Sequence, residues 1–171
     1  IDAGTNAKQL TLALESISVS PESIHGIFIT HEHADHIGAL RVFASRYHIP
    51  VFATKGTLSA MNKGGHLKGD FTSDVINSDG VEVNGMLVKS FRTSHDSTES
   101  CGYTVLLPDE TKISVCTDTG IITQDIIDKV TGSDLILLES NHDKKMLNDG
   151  PYPYYLKQRI LGNHGHLCNE M

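Results

Sequence analysis

The chain has 171 residues, which is enough for one globular domain with a substantial core and too few for two ordinary domains. Hydrophobic residues make up 39% and charged residues 20%, a balance that excludes a disordered chain, and no apolar run approaches the length of a membrane span. The formal net charge of −7 argues against a protein that coats nucleic acid along a broad basic face.

Short strands and helices alternate along the chain, and no repeat or linker divides it. The elements predicted for the first half are a buried strand over 24–30, a helix over 37–48, a strand over 49–54 and a helix over 56–62. Those predicted for the second half are strands over 86–95, 101–109 and 112–118, a helix over 123–130 with Thr123 as N-cap, a buried strand over 134–140 and a helix over 154–161. Pro108 at the start of a turn predicts a hairpin. The pattern indicates a single α+β or α/β domain over 1–171.

The three cysteines, Cys101, Cys116 and Cys168, lie far apart and form no CxxC pair. An odd number of widely spaced cysteines is typical of free thiols in a reducing compartment. The first residues, IDAGTNAK, also lack the basic start and apolar core of a signal peptide. The sequence therefore predicts a cytoplasmic protein.

Residues able to bind metal recur just after the predicted strands: Asp2, His31 to His36, His95, Asp118 and His142. Strand ends that face one edge of a sheet are where α/β folds assemble their sites. We therefore expect these side chains to converge.

The densest group lies in FITHEHADHIGAL, which holds His31, His33, Asp35 and His36 within six positions. In an extended segment alternate side chains share a face, which aligns the first three. A helix that starts after Asp35 would turn His36 towards the same space. Neutral imidazole and carboxylate together suit Zn²⁺, and also Mn²⁺ or Fe²⁺. The alternative is a polar surface loop, but such a motif arises by chance in roughly a few chains per thousand.

The segment THEHADH resembles the HxHxDH signature of the metallo-β-lactamase superfamily. The segments SHDSTESCGY, CTDTG, LLESNHD and YPYYLKQRILGNHGHLCNE are similar to its WalJ/YycJ branch, close to the ribonuclease Z-like phosphodiesterases. The resemblance covers essentially the whole chain and implies an αββα sandwich of two β-sheets with a dinuclear metal site. It also implies a sandwich that is incomplete at both termini, because the family's first strands precede DAG and its last histidine ligand follows the position of Met171.

The resemblance assigns roles to individual residues. The implied ligands are His31, His33 and His95 for the first metal, Asp35 and His36 for the second, and Asp118 as a bridge between them. Asp2 would orient a ligand imidazole by a hydrogen bond. His142 is a second candidate for such support, although NHD may equally cap the segment that follows. His166 matches a histidine that protonates the leaving group, so Asp35 and His166 are the predicted catalytic residues and His164 is a weaker candidate.

The implied activity is hydrolysis of a phosphodiester, as in a DNA exonuclease, by a hydroxide that two divalent ions (Zn or Mn) activate. Nucleic acid is the implied substrate, and Lys157 and Arg159 are either phosphate contacts or an ordinary solvated helix face. Two alternatives stay open: the same site acting on a β-lactam or thioester, and a non-catalytic metal-bound module. Asp118, where many lactamases of the superfamily have cysteine, favours the phosphodiester.

Overall fold

In the computed structural model, which describes residues 1–170, eight strands form two sheets. The first sheet is parallel, in the order β1 (Ile27–Phe28), β2 (Val51–Ala53) and β3 (Ser73–Val75). The second runs in the order β4 (Val81–Val83), β5 (Met86–Arg92), β6 (Cys101–Leu106), β7 (Lys112–Cys116) and β8 (Leu135–Leu138). Strands β4 to β7 pair antiparallel, and β8 joins β7 in parallel.

The helices are α1 (Ala7–Ser16), α2 (Ala34–Ile37), α3 (Leu40–Tyr47), α4 (Lys55–Lys63), α5 (Gln124–Val130), α6 (Lys144–Asp149) and α7 (Tyr154–Leu161), with a 3₁₀ turn at Pro21–Ser23. Four of them begin with a polar side chain that accepts a hydrogen bond from the backbone N–H three residues on: Asn6, Thr54, Thr123 and Asp143. Within residues 1–170, no helix combines the length and the apolar character needed to span a bilayer.

Three buried clusters stack these elements into layers. Ile29 belongs to the cluster that packs the first sheet against α1, α3 and α4. Phe28 and Tyr103 lie between the two sheets, with ring centroids 5.7 Å apart. Phe91 and Ile126 pack the second sheet against α5. The order helix, sheet, sheet, helix is the αββα sandwich expected from the resemblance, and the predicted fold class is confirmed.

Two hydrogen bonds join the sheets directly beneath the HxHxDH segment. The Tyr103 hydroxyl donates to the Ile29 carbonyl at 2.6 Å, and the Cys101 N–H donates to the Thr30 carbonyl at 3.1 Å. All four residues are buried. The loop that carries His31 is therefore fixed to the second sheet by its own backbone.

The predicted helix over 37–48 is two helices, and the first of them begins at Ala34, before Asp35 and not after it. The backbone of Ala3 accounts for the break between α2 and α3. Its N–H donates to the His36 carbonyl at 2.8 Å, and its carbonyl accepts from the Ala39 N–H at 2.7 Å. These bonds to a distant segment end α2 after a single turn.

The predicted strand over 134–140 is present as β8, but the prediction that it is buried is wrong. Its side chains Leu135, Ile136, Leu137 and Leu138 are between 44% and 59% exposed. The reason is its place at the edge of the sheet, where it pairs with β7 alone among residues 1–170.

Other strands are shorter than the sequence predicts, and the sequence does not predict the elements α1, β3, β4 and α6. The hairpin of β6 and β7, helix α5 with its Thr123 cap and helix α7 are confirmed.

Candidate metal centre

Helix α2 and the loops that follow β1, β5, β7 and α7 bring together six of the predicted site residues: His31, His33, His36, His95, Asp118 and His166. They form three groups in which the possible ligand atoms all lie within 4.8 Å of one another: His31–His33–His95, His31–His36–Asp118 and His95–Asp118–His166. Because the groups share members, they are parts of one site, which we call the metal centre.

The first group has the spacing of a nitrogen-ligated ion. His31 Nε2 lies 3.0 Å and His95 Nε2 lies 3.3 Å from His33 Nδ1. Ligands arranged tetrahedrally around zinc at the usual Zn–N distance lie about 3.3 Å from one another. Three imidazole nitrogens at these separations fit a divalent cation.

In His31 and in His95, a hydrogen bond at Nδ1 determines that Nε2 is the nitrogen that faces the metal centre. His31 Nδ1 lies 3.0 Å from Thr30 Oγ1, and His95 Nδ1 lies 3.1 Å from the Gly165 carbonyl, to which it donates. These contacts leave Nε2 of each ring as the electron-pair donor. Burial, with a smaller contribution from His36, lowers the pKa of His31 to about 4. Burial also lowers the pKa of His95, so both rings are held in the neutral form that binds metal.

Asp2 supports the second group from behind. Its Oδ2 lies 2.9 Å from His36 Nδ1, and its two oxygens accept hydrogen bonds from the N–H and the hydroxyl of Thr30 at 2.8 and 2.9 Å. Burial opposes protonation of His36, but the hydrogen bond and charge of Asp2 outweigh it and raise the pKa of that ring. Asp2 thus has the contact expected of a residue that orients a ligand imidazole.

Asp118 belongs to both the second and the third group. It follows β7 with a left-handed backbone, at φ +55°. Its Oδ2 lies 3.4 Å from His36 Nε2 and its Oδ1 lies 3.6 Å from His166 Nδ1. Its possible ligand atoms also lie within 4.8 Å of those of His31 and His95, and its predicted role as a bridge between two ions stays a prediction.

Two of the predicted site residues, Asp35 and His142, lie outside the three groups. Asp35 belongs to none of the three groups, because α2 carries its side chain to the rim, where it is 82% exposed with Oδ2 3.7 Å from His36 Nε2. Its role as a ligand stays a prediction. His142 also lies outside the groups, and neither of its ring nitrogens has a hydrogen-bond partner among residues 1–170. The alternative interpretation of NHD fits α6, since Asp143 accepts the N–H of Met146 and caps that helix.

Glu139 also belongs to the site, although the sequence pattern does not indicate it. This residue follows β8, its side chain is 8% exposed, and its Oε2 lies 3.0 Å from His166 Nδ1. Its Oε1 accepts the N–H of Thr119, next to Asp118. The hydrogen bond that His166 donates to Glu139 raises the pKa of His166, although burial opposes this. Glu139 falls inside the predicted strand over 134–140, so the pattern of polar residues that follow strands does not indicate it, whereas the observed strand ends at Leu138.

The basic residues of α7 have partners within the chain. The Arg159 guanidinium donates through Nε to Asp96 Oδ2, and Asp96 Oδ1 lies 3.3 Å from His95 Nε2. Lys157 Nζ donates to the Asn148 carbonyl at 2.6 Å. Helix α7 therefore borders the metal centre, but both cations already contact protein groups.

Comparison with known proteins gives a match to the family model described as a beta-lactamase superfamily domain, over residues 1–170. The exodeoxyribonuclease YycJ of Bacillus anthracis is 36% identical over 174 residues, and the exodeoxyribonuclease WalJ of Streptococcus pneumoniae serotype 2 is 36% identical over 173 residues. Each alignment includes 99% of this chain, which spans 64% of the length of these curated relatives.

Among solved structures, the short form of human tRNase Z superposes with a TM-score of 0.65 at 19% identity, over 98% of this chain and 71% of the other. A similarity at so low an identity is evidence for the fold alone, and the shared fold is the one that the sequence predicts. Family model, relatives and architecture agree: this chain belongs to the metallo-β-lactamase superfamily.

Proposed function

We propose that this chain is one domain of a metal-dependent hydrolase that cleaves phosphodiester bonds in nucleic acid, and specifically in DNA. The observation that carries the proposal is the position of Asp118, between His36 and a histidine, His166, that is itself hydrogen-bonded to a buried glutamate. The names of the relatives YycJ and WalJ, both exodeoxyribonucleases, support the choice of DNA.

Two divalent ions, Zn²⁺ or Mn²⁺, would be held by the residues of the metal centre. The proposed ligands are His31, His33 and His95 for one ion, His36 and Asp35 for the other, and Asp118 for both. When bound, such a pair supplies a nucleophile from water at neutral pH and stabilises negative charge on phosphoryl oxygens. Neutral imidazoles and carboxylates are the ligands that suit these ions.

The chain's own contribution to bond cleavage is the proton on His166. Nδ1 of this ring contacts Glu139 Oε2 at 3.0 Å, so Nε2 is the atom free to donate to the departing oxygen. In the metal-free chain the hydrogen bond to Glu139 raises the pKa of this ring and so favours its protonated form. Asp2 holds His36 in place throughout, and takes no part in proton transfer.

We also propose a cytoplasmic location. Cys101, Cys116 and Cys168 are free and buried, which is typical of proteins in a reducing compartment. Burial raises the pKa of Cys101 and of Cys116 to about 12, so neither thiol is prone to ionise.

The test is hydrolysis of a labelled single-stranded DNA oligomer and of bis-p-nitrophenyl phosphate by the chain loaded with Zn²⁺ or Mn²⁺. Activity should depend on the metal and disappear with a chelator. Asp118→Ala should lower it about a thousandfold, because the shared ligand is lost. Asp74→Ala is the matched control, since Asp74 is exposed on β3, outside the three groups.

A second assay separates the proposal from its rivals. A metal-loaded, folded chain that hydrolyses nitrocefin or a glutathione thioester, and neither phosphodiester, would contradict it. A chain that binds metal and hydrolyses none of these substrates would favour the non-catalytic module.

A further inference from the structure

Helix α7 brings one cationic side chain, Arg159, to the edge of the metal centre. The Nε–H group of its guanidinium donates a hydrogen bond to Asp96 Oδ2, and Asp96 Oδ1 lies 3.3 Å from His95 Nε2. A single carboxylate therefore separates the guanidinium from a nitrogen that is a proposed metal ligand. Among residues 1–170, no other lysine or arginine forms an ion pair with a residue that contacts a proposed ligand.

The hydrogen bonds within the chain use only part of this guanidinium. An arginine carries five N–H donors, one on Nε and four on Nη1 and Nη2. Asp96 accepts from Nε, and no other group in the part of the chain that the structure describes accepts a hydrogen bond from the Arg159 side chain. Because that side chain is 54% exposed, its remaining donors are open to a ligand that arrives from solvent.

A second carboxylate, that of Asp35, places Arg159 on the open side of the metal centre. The hydrogen bond to Asp96 and the charge of Asp96 raise the pKa of Arg159, and the charge of Asp35 adds a smaller contribution in the same direction. Asp35 is 82% exposed, with Oδ2 3.7 Å from His36 Nε2. The guanidinium thus lies within electrostatic reach of carboxylates that contact proposed ligands of both ions, His95 and His36.

The contact with Asp96 holds the guanidinium in place. Asp96 belongs to none of the three groups of possible ligands. His95 donates from Nδ1 to the Gly165 carbonyl, so Nε2 of the neutral ring has no proton to give to Asp96. The carboxylate is therefore available to Arg159, and an arginine that is already held loses less conformational entropy when it binds a ligand.

The donors that remain on Arg159 suit a phosphate group. Two parallel N–H groups of a guanidinium match two oxygens of a phosphate, and hydrogen bonds between charged partners are roughly twice as strong as neutral ones. A substrate of the proposed function must bring its reacting phosphate to the metal centre, which Arg159 borders. Because the chain has a formal net charge of −7, a cation at this position would offset its repulsion of an anionic nucleic acid.

We propose that Arg159 binds a phosphoryl oxygen of the substrate through Nη1 and Nη2, the donors that Asp96 leaves unused. This inference rests on the proposed function and adds a substrate-binding residue to it. Single-stranded and double-stranded nucleic acids carry the same phosphate group, so the contact positions either of them and reads no base.

The test measures binding of inorganic phosphate to the zinc-loaded chain by isothermal titration calorimetry, which requires no turnover. Arg159→Ala should weaken phosphate binding about tenfold, because charge-assisted hydrogen bonds are lost. Arg159→Lys keeps the charge but loses the paired donors, and should weaken it about threefold. Zinc affinity, measured by competition with a chromophoric chelator, should be the same in both variants as in the wild-type chain.

The matched control is Arg46→Ala, since Arg46 is also exposed, lies on α3 outside the three groups, and changes the net charge equally when it is removed. Absence of phosphate binding by the wild-type chain would overturn the inference. So would unchanged phosphate affinity in Arg159→Ala, or an equal loss in Arg46→Ala.

A loss of zinc affinity in Arg159→Ala as large as the loss of phosphate affinity would also overturn the inference, because Arg159 would then act only through Asp96 and the metal ligands. Because binding is measured without cleavage, failure of the proposed function is seen separately. It would appear as a chain that binds phosphate through Arg159 but hydrolyses neither DNA nor bis-p-nitrophenyl phosphate.

Discussion

The two sides of the metal centre are built differently. On one side, Thr30 and His31 are 1% exposed, and Asp2 joins both Thr30 and His36 by hydrogen bonds. On the other side, His166 contacts the carboxylates of Glu139 and Asp118, next to an edge strand, β8, whose side chains are half exposed. This difference predicts that the first side, although it holds proposed metal ligands, is strongly coupled to the stability of the fold, and that the second side is coupled to it more weakly.

The largest effect is expected when one aliphatic side chain on each side of the metal centre is replaced by alanine. Ile29 is fully buried beside His31, whereas Leu137 on β8 is 58% exposed. Ile29→Ala should lower the free energy of unfolding by about 3 kcal/mol, because it leaves a cavity in a packed core. Leu137→Ala should lower it by less than about 0.5 kcal/mol. Urea denaturation measures both, and similar losses in the two variants would remove the distinction.

An intermediate effect is expected at Asp2. Asp2→Asn removes the charge, and its amide cannot accept all the hydrogen bonds from Thr30 and His36, so the free energy of unfolding should fall by about 2 kcal/mol. Zinc affinity should fall about 10- to 100-fold, because His36 is no longer oriented. Competition with a chromophoric chelator measures the affinity, with Asp74→Asn as the control. Unchanged zinc binding would mean that Asp2 serves the fold alone.

The smallest effect is expected at Glu139, and it should depend on pH. The folded-state pKa of His166 is raised above 6.5 by Glu139, so the pair stabilises the fold fully below the ordinary pKa and loses this contribution as pH rises through the raised value. In the metal-free chain, Glu139→Gln should therefore destabilise by about 1 kcal/mol near pH 5.5 and by less near pH 8. Urea denaturation at the two pH values measures this. A larger loss at pH 8 would contradict the assignment.

The sequence predicts the parts of this protein that depend on local pattern. The HxHxDH segment, the strand-end placement of His95 and Asp118, the hairpin around Pro108 and the bounds of α7 all follow from neighbours in the chain. The family and the fold follow from the same motifs, and both are confirmed.

What the sequence misses depends on distant residues. The break between α2 and α3 comes from hydrogen bonds to Ala3, which no local pattern indicates, and Asp35 lies on the exposed side of α2. The apolar run of β8 has the composition of a buried strand, but its exposure depends on what packs against it. Glu139 falls inside the predicted strand over 134–140, and only its distance to His166 in the structure distinguishes it from a surface glutamate.

Asp2 and Asp118 share an uncommon backbone conformation, with φ of +58° and +55°. Only glycine, asparagine and aspartate adopt it readily, so a valine or isoleucine at either position would strain the main chain. Over evolutionary time, a descendant that loses either carboxylate while keeping the architecture should therefore do so through asparagine or glycine. Such a replacement would identify homologues that keep the fold but have lost the metal-dependent activity.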